Sequence, residues 1–498
     1  MQRVSEYLIF SQLKRQNGCA EPRKYPHKDP ILGLDLFLES GKVMKSNSLL
    51  AFNHRLFDTY GKTFQYNSWG HIAIRTMQPE NIQAVLSTSF GAFGVVPLKV
   101  KPSKNQKPES GNPLMSKGIF TADGVIWEHA RSLIKPTFSK HQITNFSSLE
   151  GHFRKLLDLI PRDNSTVDLA PLLKRFILDT STEFLFGKSV ECLSPTTTFD
   201  SKQFLDAFDI SMRGLGERLM LGKFSFIKGR DQPYKDAVKT VHAYIDGHVE
   251  RALAEQQDHK AEKLDANERN HKGKRYILLN EMVKETQDPV ELRYSLLNVF
   301  FPAHDATAVA VNNILFHLAR EPKIQARLRA DIMAATKSQP LSFELLKSIK
   351  YLRYIFNEGI RLHTPPNRLL RICHKDTVLP VGGGVDGKSP ILVRKGTNIQ
   401  LHTQAMHVDP DIWGANDAHV FRPERWETAR PTWEYLPFGG GPRICPAQQM
   451  TYTESAFIIV RLFQEFKEIR SRDVEPWTEM HRMIVENKNG LKVMLVPA

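Results

Sequence analysis

Apolar and polar positions near the start of the chain alternate with two different periods. Between Ser46 and Tyr60 the apolar residues recur every three to four positions, which predicts an amphipathic helix. Thr63–Thr76 alternates at every second position on either side of a turn at Asn67–Gly70, and this pattern predicts a β-hairpin. Pro79 then predicts the start of a short helix over Glu80–Leu86, because proline is favoured in the first helical turn.

The middle of the chain, from Val125 to about Ile355, is mainly helical in pattern. Its longest apolar-rich run, Leu292–Arg320, predicts one helix that is buried through the middle of the protein. Gln256–Lys274 is highly charged and nearly devoid of large apolar residues, which predicts an exposed, mobile connection. Residues 98–118 are rich in Lys, Pro, Ser, Asn and Gly and predict a long loop, a kind of segment that is often functional.

After Pro365 short strands and turns replace the helices, and residues 478–498 predict a terminal hairpin around Asn489-Gly490. No linker separates two independent cores. We therefore expect a mainly α protein with small β-sheets. It would consist of an N-terminal lead-in over residues 1–45 and one large domain over residues 46–498.

The chain has 498 residues and a formal net charge of +14. Such a charge suits nucleic acid, an anionic membrane surface or an acidic protein partner, and it equally suits a generally cationic, solvated surface. The sequence holds no zinc finger, RNP-type motif or basic helix, so we expect no nucleic-acid partner. Its four cysteines form no C-x-x-C pair, which fits a reducing compartment.

No run of about 18 apolar residues occurs, so the sequence predicts no transmembrane helix. The first residues, Met1–Arg15, are too polar for a signal peptide. Two interpretations of them remain. They form an amphipathic helix at a membrane surface, or they are what is left when an anchor is missing from this chain.

The most distinctive chemistry lies in Phe438–Ala447, a glycine-rich stretch that carries Cys445 two residues after Arg443. A helical run begins soon afterwards at Gln448. Glycines let a backbone turn sharply and aim N–H groups at one sulfur, and such donors near a helix N-terminus stabilise a thiolate. A thiolate that ligates haem iron requires this environment. The other interpretation is a turn that carries an inert cysteine.

Three further motifs need the same explanation as this loop. Glu358 and Arg361 stand three residues apart on a predicted helix and therefore share a face. The segment Phe421–Trp426, which contains Arg425, lies shortly before the cysteine loop. Trp127 and Arg131 stand four residues apart, so both long side chains also share a helical face.

Together the four motifs resemble those of the cytochrome P450 monooxygenases, and the resemblance covers nearly the whole chain. The family's cysteine signature is Phe-x-x-Gly-x-Arg-x-Cys-x-Gly. It stands here as Phe438, Gly441, Arg443 and Cys445, with Ala447 in place of the last glycine. The resemblance implies the cytochrome P450 fold, in which haem lies between a long central helix and the cysteine loop, and a haem-thiolate catalytic domain over residues 46–498.

The resemblance also assigns roles to individual residues. It implies haem b, with Cys445 as the axial thiolate and metal ligand. The residues expected to contact the haem propionates are Trp127, Arg131, Arg371 and Arg443. Glu358, Arg361 and Arg425 match the family's buried Glu-Arg-Arg triad, whose role is structural and whose disruption costs several kcal/mol. Residues expected to line the substrate pocket are Ile119, Phe120, Ala303, Thr307, Leu369 and Leu370.

A closer resemblance, to fungal alkane and fatty-acid ω-hydroxylases, rests on Tyr25–Phe37, on Leu297–Phe301 and on Met406-His407 with the Phe421 segment. It implies insertion of one oxygen atom from O2 into a C–H bond of a lipophilic substrate, such as a fatty acid, alkane or alkyl chain. Electrons from NADPH would arrive through NADPH–cytochrome P450 reductase, docked on the basic surface. The resemblance further implies a monomer at the cytosolic face of the endoplasmic reticulum membrane, and the lack of a long apolar run predicts no transmembrane anchor in this chain.

Two other functions stay open at this point. A tailoring oxidase of a fungal secondary-metabolite pathway would apply the same chemistry to a polyketide, peptide or terpene. A haem-thiolate sensor or carrier would bind haem without turnover. Substrate-dependent NADPH consumption separates the enzymes from the sensor or carrier.

The central helix departs from the family's Ala-Gly-x-Asp-Thr-Thr. The aligned residues are Pro302–Thr307, in which Asp305 is retained and Ala306 lacks the hydroxyl that guides protons to dioxygen. Thr307 stands about 100° further around the helix, so it needs local distortion to take that place. We hypothesise that protons arrive through Asp305 with Thr307, an ordered water or a substrate hydroxyl. A reaction without this relay, such as dehydration or isomerisation, is the alternative.

Pro302 itself has two interpretations. Proline lacks the N–H and clashes with the carbonyl four residues back, that of Asn298, so it either kinks the helix at a functional groove or only bends a core helix. His304 and His363 are interpreted as packed, structural residues, because neither is spaced like one of a zinc-binding pair.

Overall fold

In the computed structural model the described residues are 11–95, 114–116, 118–138, 146–194, 198–263, 277–337 and 339–498. They are mainly helical, as predicted, with small sheets. The helices are Leu34–Lys45, Leu49–Tyr60, Pro79–Gln83, Gly124–Ile134, Phe146–Leu157, Leu169–Phe186, Phe199–Leu221, Gln232–Lys263, Leu278–Glu285, Pro289–Ala303, Ala306–Leu318, Pro322–Thr336, Phe343–Ser348, Lys350–Leu362, Thr403–His407, Pro410–Trp413 and Gln448–Glu465.

The strands are short, and they are numbered here in chain order. They are β1 (Arg23–Lys24), β2 (Thr63–Ser68), β3 (His71–Thr76), β4 (Phe93–Gly94), β5 (Val167–Asp168), β6 (Leu369–Cys373), β7 (Thr377–Gly383), β8 (Ser389–Val393), β9 (Asn398–Leu401), β10 (Phe466–Ser471), β11 (Glu479–His481), β12 (Val485–Asn487) and β13 (Lys492–Pro497). The chain divides into two compact units. The first unit comprises Met1–Val96, Tyr351–Cys445 and Glu475–Asn489, and the second comprises Pro97–Lys350, Pro446–Val474 and Gly490–Ala498.

The first unit is built on a six-stranded sheet of order β1-β2-β3-β9-β6-β4. The predicted hairpin is confirmed, since β2 and β3 pair antiparallel from Thr63↔Thr76 to Ser68↔His71. The predicted helix before it begins at Leu49 and packs Phe52, Leu56 and Phe57 into the core of this unit. Burial of these side chains stabilises the unit, at roughly 1.5–3 kcal/mol for each fully buried large apolar side chain.

The second unit is mainly helical and contains the three-stranded sheet β10-β13-β5. Several of its helices begin at a side chain that caps their free N–H groups, as the sequence chemistry favours. Asp168 Oδ1 accepts a hydrogen bond from the Ala170 N–H at 3.0 Å, and Asp288 Oδ1 accepts one from the Val290 N–H at 2.8 Å.

The predicted terminal hairpin around Asn489-Gly490 is wrong. The two strands on either side of that turn have different partners: β12 pairs with β11, and β13 pairs with β10 and β5. The reason is a contact that local sequence does not reveal. The Leu491 N–H donates to Asp168 Oδ1 at 2.8 Å, and Gly490 has a φ of +72° that brings its α-carbon against the same carboxylate, where a side chain would not fit.

The single long central helix is also wrong, because the apolar run Leu292–Arg320 is split. One helix ends at Ala303 and the next begins at Ala306, with Asp305 between them at φ −142° and ψ −20°. Pro302 lies inside the first helix, three residues before Asp305. It cannot donate to the Asn298 carbonyl and its ring crowds that oxygen, so the helical bonding is already weakened just before the break.

The remaining predictions concern connections. Helix Gln232–Lys263 extends through the first part of Gln256–Lys274, so the predicted mobile connection is wrong over residues 256–263, and residues 264–274 lie outside the described residues. Of the long loop predicted over residues 98–118, only 114–116 and 118 are described. At the N-terminus, residues 11–16 are helical and the first ten residues are not described. Among the described residues, no helix is both long and apolar enough to cross a membrane.

Candidate functional site

Glu358 and Arg361 lie on one face of helix Lys350–Leu362, and both side chains are fully buried. Arg361 binds the carboxylate with both arms of its fork: Nε donates to Glu358 Oε2 and Nη2 donates to Oε1, each at 2.9 Å. This bidentate geometry is the strongest that an arginine and a carboxylate can adopt.

Arg425 completes the charge cluster predicted from the sequence. Its Nε donates to Glu358 Oε1 at 2.9 Å, and the Arg422 backbone N–H donates to the same oxygen at 2.9 Å. The indole N–H of Trp426 donates to Oε2 at 3.0 Å, a contact that the sequence reasoning missed. With the two bonds from Arg361, Glu358 therefore receives five hydrogen bonds.

The other arms of the two arginines bind backbone. Arg361 Nη1 donates to the carbonyls of His407 and Ala418, both at 2.7 Å. Arg425 Nη2 donates to the carbonyl of Asp417 at 2.7 Å. Because these carbonyls belong to the long connection before the cysteine loop, the buried charges fix its path as well as satisfying one another.

His407 is a second residue of this cluster that the sequence reasoning did not assign. It is fully buried, and its Nε2 accepts the Leu436 N–H at 2.7 Å while Nδ1 lies 2.7 Å from Thr364 Oγ1. Burial, followed by the charge of Arg361, lowers the pKa of His407 to about 3, so the ring is neutral. A neutral ring bonded at both nitrogens joins the end of the Glu358 helix to the segment that enters the cysteine loop.

The cysteine loop is held by its own backbone. The Gly439 N–H donates to Leu436 O at 3.1 Å, and the Cys445 N–H donates to Phe438 O at 3.0 Å. The Phe438 ring stacks on Phe356, two residues before Glu358 on the helix, with ring centroids 6.5 Å apart. The loop thus closes on itself and leaves the Cys445 side chain partly exposed.

Gly441 is required for a packing reason. Its φ is +66°, and a Cβ built on it would overlap the carbonyl oxygen of Leu86. Any side chain there would push the cysteine loop away from the turn Ala84–Thr88, so the glycine of the signature is needed even before a cofactor is considered.

Strand β6 carries three of the predicted site residues. Because side chains alternate along a strand, Arg371 and Leu369 share one face of the sheet and Leu370 lies on the other. Leu370 is 41% exposed. The two leucines therefore cannot line one side of a pocket together. Arg371 and Arg443 are both half-buried in this unit.

In the second unit, Trp127 and Arg131 share a face of helix Gly124–Ile134 as predicted. Trp127 is buried, and the Arg131 guanidinium carbon lies 5.9 Å from the centroid of its ring. Just before this helix, the Phe120 ring contacts the Phe301 ring edge-to-face, with centroids 5.6 Å apart. The side-chain amide of Asn298 donates to Met115 O at 3.0 Å. Ile119 belongs to the same segment and is half-buried. The contacts of Phe120 and Met115 show that this segment packs against the helix that ends at Ala303.

The helix break places Asp305 and Thr307 in different surroundings. His304 Nε2 lies 3.3 Å from Asp305 Oδ2, and the His304 ring packs edge-on against Phe208 at 4.9 Å. The Thr307 hydroxyl donates to Glu454 Oε2 at 3.2 Å. Burial raises the pKa of Glu454 to about 7, and the bond from Thr307 offsets part of the rise.

Glu454 is the third residue that the sequence reasoning missed. The signal was present, because Glu454 is an acidic residue inside the apolar run of helix Gln448–Glu465, the helix that follows Cys445. His363, interpreted as structural, stacks on Trp477 with ring centroids 4.1 Å apart.

The chain matches the family described as Cytochrome P450 over residues 26–495. It is 36% identical to the cytochrome P450 monooxygenase apdE of Emericella nidulans over 492 residues, which are 98% of this chain and 91% of the relative. It is 37% identical to the cytochrome P450 monooxygenase iccC of Talaromyces variabilis over 490 residues, which are 97% of this chain and 94% of the relative.

A third relative is the cytochrome P450 monooxygenase fsdH of Fusarium heterosporum. It is 35% identical over 497 residues, which are 99% of this chain and 86% of the relative. The three names specify a monooxygenase and no alkane or fatty acid, so they support the superfamily that the motifs indicated and not the ω-hydroxylase subgroup. Matched by the family along almost its full length, the chain belongs to the cytochrome P450 family.

Proposed function

We propose that this protein is a tailoring oxidase of a fungal secondary-metabolite pathway, which inserts an oxygen atom into a lipophilic small molecule. Family membership establishes the coarser statement, that the chain is a cytochrome P450 monooxygenase and an oxidoreductase. Three fungal cytochrome P450 monooxygenases align over 97–99% of the chain, and none of their names specifies a fatty acid. This similarity favours the tailoring reaction over a fatty-acid substrate.

The cysteine loop is the observation that carries the proposal. The family implies a haem with a cysteine thiolate ligand. Cys445 fits that role, because its loop is closed by the bond from its own N–H to Phe438 O and its side chain stays partly exposed. Gly441 and Phe438 shape the loop, and Trp127, Arg131, Arg371 and Arg443 are the donors proposed for the two propionates of haem b.

The chemistry that haem supplies when bound is activation of dioxygen, and a thiolate ligand favours cleavage of the O–O bond. This chain's own residues handle protons. Asp305 and Thr307 remain the residues proposed for proton delivery, and Glu454 now joins them. With a pKa of about 7, the Glu454 carboxyl is protonated in part of the molecules, and its Oε2 lies 3.2 Å from Thr307 Oγ1, within reach for proton exchange.

The remaining partners are proposed from the family. NADPH–cytochrome P450 reductase would deliver the electrons, with O2 and a lipophilic small molecule as substrates. The protein would work as a monomer at a membrane surface, on the cytosolic face of the endoplasmic reticulum. The net charge of +14 supports docking to an acidic partner, so the reduction rate should fall steeply with added salt.

The proposal is tested with the purified holoprotein. The reduced CO complex should show the shifted Soret band of a thiolate ligand, and NADPH consumption with reductase should depend on substrate. Cys445→Ala should abolish both, while the matched variant Cys19→Ala, also at a partly exposed cysteine, should keep both. A haem sensor or carrier would show the band without substrate-dependent consumption.

Substrate class is tested in the same preparation by binding spectra. A panel of polyketide, peptide and terpene metabolites is compared with alkanes and fatty acids. Tighter binding of the metabolites supports the tailoring reaction, and binding confined to alkanes and fatty acids contradicts it. Asp305→Asn and Thr307→Val should both lower the coupling of NADPH use to product, and Ala306→Thr should change it. Unchanged coupling in the first two would refute the proton route.

A further inference from the structure

The first unit contains two arginines whose charges act on each other, Arg75 in strand β3 and Arg368 just before strand β6. Gln400 of strand β9 pairs with Arg75 of strand β3 on one side and with Leu370 of strand β6 on the other. Residues that pair in this way share a face, so Arg75 and Gln400 are on one face and Arg371, which pairs with Ile399, is on the opposite face. Arg368 immediately precedes strand β6, and the charge of Arg75 acts on it.

Arg75 is buried without a complete set of partners. It is 5% exposed, and its Nη1 donates to Asn53 Oδ1 at 3.1 Å. The guanidinium carbon lies 4.9 Å from the centroid of the Tyr66 ring. Among the described residues its Nε is buried and has no hydrogen-bond acceptor. A buried N–H of a cation that lacks an acceptor destabilises the fold more than the same group on a neutral side chain would.

The surroundings add cations and neutral rings. Burial and then the charge of Arg75 lower the pKa of the half-buried Arg368. His402, two residues after Gln400, is 2% exposed, and burial followed by the charges of Arg75 and Arg368 lowers its pKa well below the usual value. His402 Nε2 lies 3.3 Å from Gln400 Oε1, so the neutral imidazole is held by an amide.

Two like charges that are desolvated together destabilise a fold unless an anion joins them. Clusters of this kind are typical of functional sites, where a ligand completes the charge balance. Arginine suits this use, because its fork binds the two oxygens of a carboxylate and keeps its charge when buried.

We infer that Arg75 and Arg368 form a binding site for an organic oxyanion, and that the oxyanion is a carboxylate of the substrate. The inference rests on the proposed function and names the substrate class for it: a lipophilic molecule with one acidic end. The propionates of haem are the other organic carboxylates available. They are assigned to Arg371, which lies on the opposite face of the same sheet.

The test compares an acidic probe with a neutral one of the same chain length, dodecanoic acid and methyl dodecanoate, in binding titrations of the holoprotein. The wild type should bind the acid at least about tenfold more tightly, since one charge-assisted hydrogen bond is worth that much. Arg368→Gln and Arg75→Gln should each weaken acid binding about tenfold and change ester binding less than about twofold. Arg55→Gln, at an exposed arginine of the same unit, should leave both affinities unchanged.

Thermal unfolding of the same proteins adds a readout that does not depend on turnover. Without probe, Arg368→Gln should melt at a higher temperature than the wild type, because it removes a desolvated charge beside Arg75. Dodecanoic acid should raise the melting temperature of the wild type and leave that of Arg368→Gln unchanged. Arg75→Lys keeps the charge and should retain part of the acid preference. It therefore separates the loss of the charge in Arg75→Gln from a defect in folding.

Three results would overturn the inference. The first is equal affinity of the wild type for the two probes, including no measurable binding of either. The second is loss of acid preference in Arg55→Gln as well. The third is a loss of haem and of stability in Arg368→Gln with the acid preference unchanged, which would assign the arginines to a propionate. In each case an intact thiolate CO band with substrate-dependent NADPH consumption would leave the proposed function standing.

Discussion

Two buried glutamates of this protein have opposite surroundings. Glu358, in the first unit, is fully buried and receives five hydrogen bonds, three of them from arginine side chains. Glu454, in the second unit, is 7% exposed, and the hydrogen bond that lowers its pKa comes from the hydroxyl of Thr307. Burial alone therefore does not decide what a carboxylate does.

The difference lies in how each charge is balanced. The arginines around Glu358 supply its counter-charge and are themselves bound to backbone, so the cluster has a structural role. Burial of Glu454 stabilises the protonated form instead, which places its titration near neutral pH. A carboxylate of the first kind holds a loop in place, and one of the second kind is suited to hold and pass a proton.

The largest expected effect comes from Glu358→Gln. The neutral amide would leave Arg361 and Arg425 buried without their counter-charge, which should lower the free energy of unfolding by about 3–5 kcal/mol. Denaturant unfolding and haem content per chain measure it. Glu427→Gln, at an exposed glutamate of the same segment, is the control and should change neither. A loss below about 1 kcal/mol would mean that the cluster has no structural role.

Glu454→Gln should act through pH. The pKa of Glu454 is about 7 in the folded protein against an ordinary value of 4.5. Below 4.5 both states hold the proton, and between 4.5 and about 7 only the unfolded chain releases it. The wild type should therefore lose about 3 kcal/mol of stability as pH rises through this range, and the glutamine variant should not. Unfolding at about pH 5 and about pH 8 tests this, and parallel losses in the two proteins would contradict it.

Trp426→Phe measures what one hydrogen bond contributes to the Glu358 cluster. It removes one of the five donors and keeps most of the apolar surface, so the expected loss of stability is about 1–2 kcal/mol. Trp413→Phe is a matched control, because that indole N–H donates to the neutral carbonyl of Met406 at 3.1 Å. It should cost less, and an equal or greater cost would show that the carboxylate adds nothing to the bond.

Thr307→Val has the smallest expected effect. It removes the hydrogen bond that lowers the pKa of Glu454 and keeps the shape of the side chain, so that pKa should rise further, by less than one unit for a bond worth about 1 kcal/mol. The carboxylic C=O band in infrared spectra, followed against pH, measures the shift. Thr453→Val removes a hydroxyl bonded to the Gln449 carbonyl on the same helix and should leave the band where it is. A pKa that falls in Thr307→Val would refute the assignment.

Much of the local structure could be predicted, and the errors have one cause. The β2–β3 hairpin and the helix before it follow from periodicities of two and 3.6 residues, which local sequence contains. The predicted terminal hairpin is wrong because Gly490 and Leu491 contact the carboxylate of Asp168, more than three hundred positions away. The apolar pattern predicts a continuous central helix in spite of Pro302, because sequence alone does not distinguish a bend from a break.

Residue type and spacing indicate much of this protein's chemistry: the Cys445 loop, the shared face of Glu358 and Arg361, and the missing hydroxyl at Ala306. The partners of these residues depend on packing. Packing brings Trp426 and His407 to the charge cluster, Glu454 to Thr307 and Arg368 to within reach of the charge of Arg75. The physical reason is that helical and strand periods order neighbours along the chain, whereas hydrogen bonds and charges act through space, between side chains that only packing brings together.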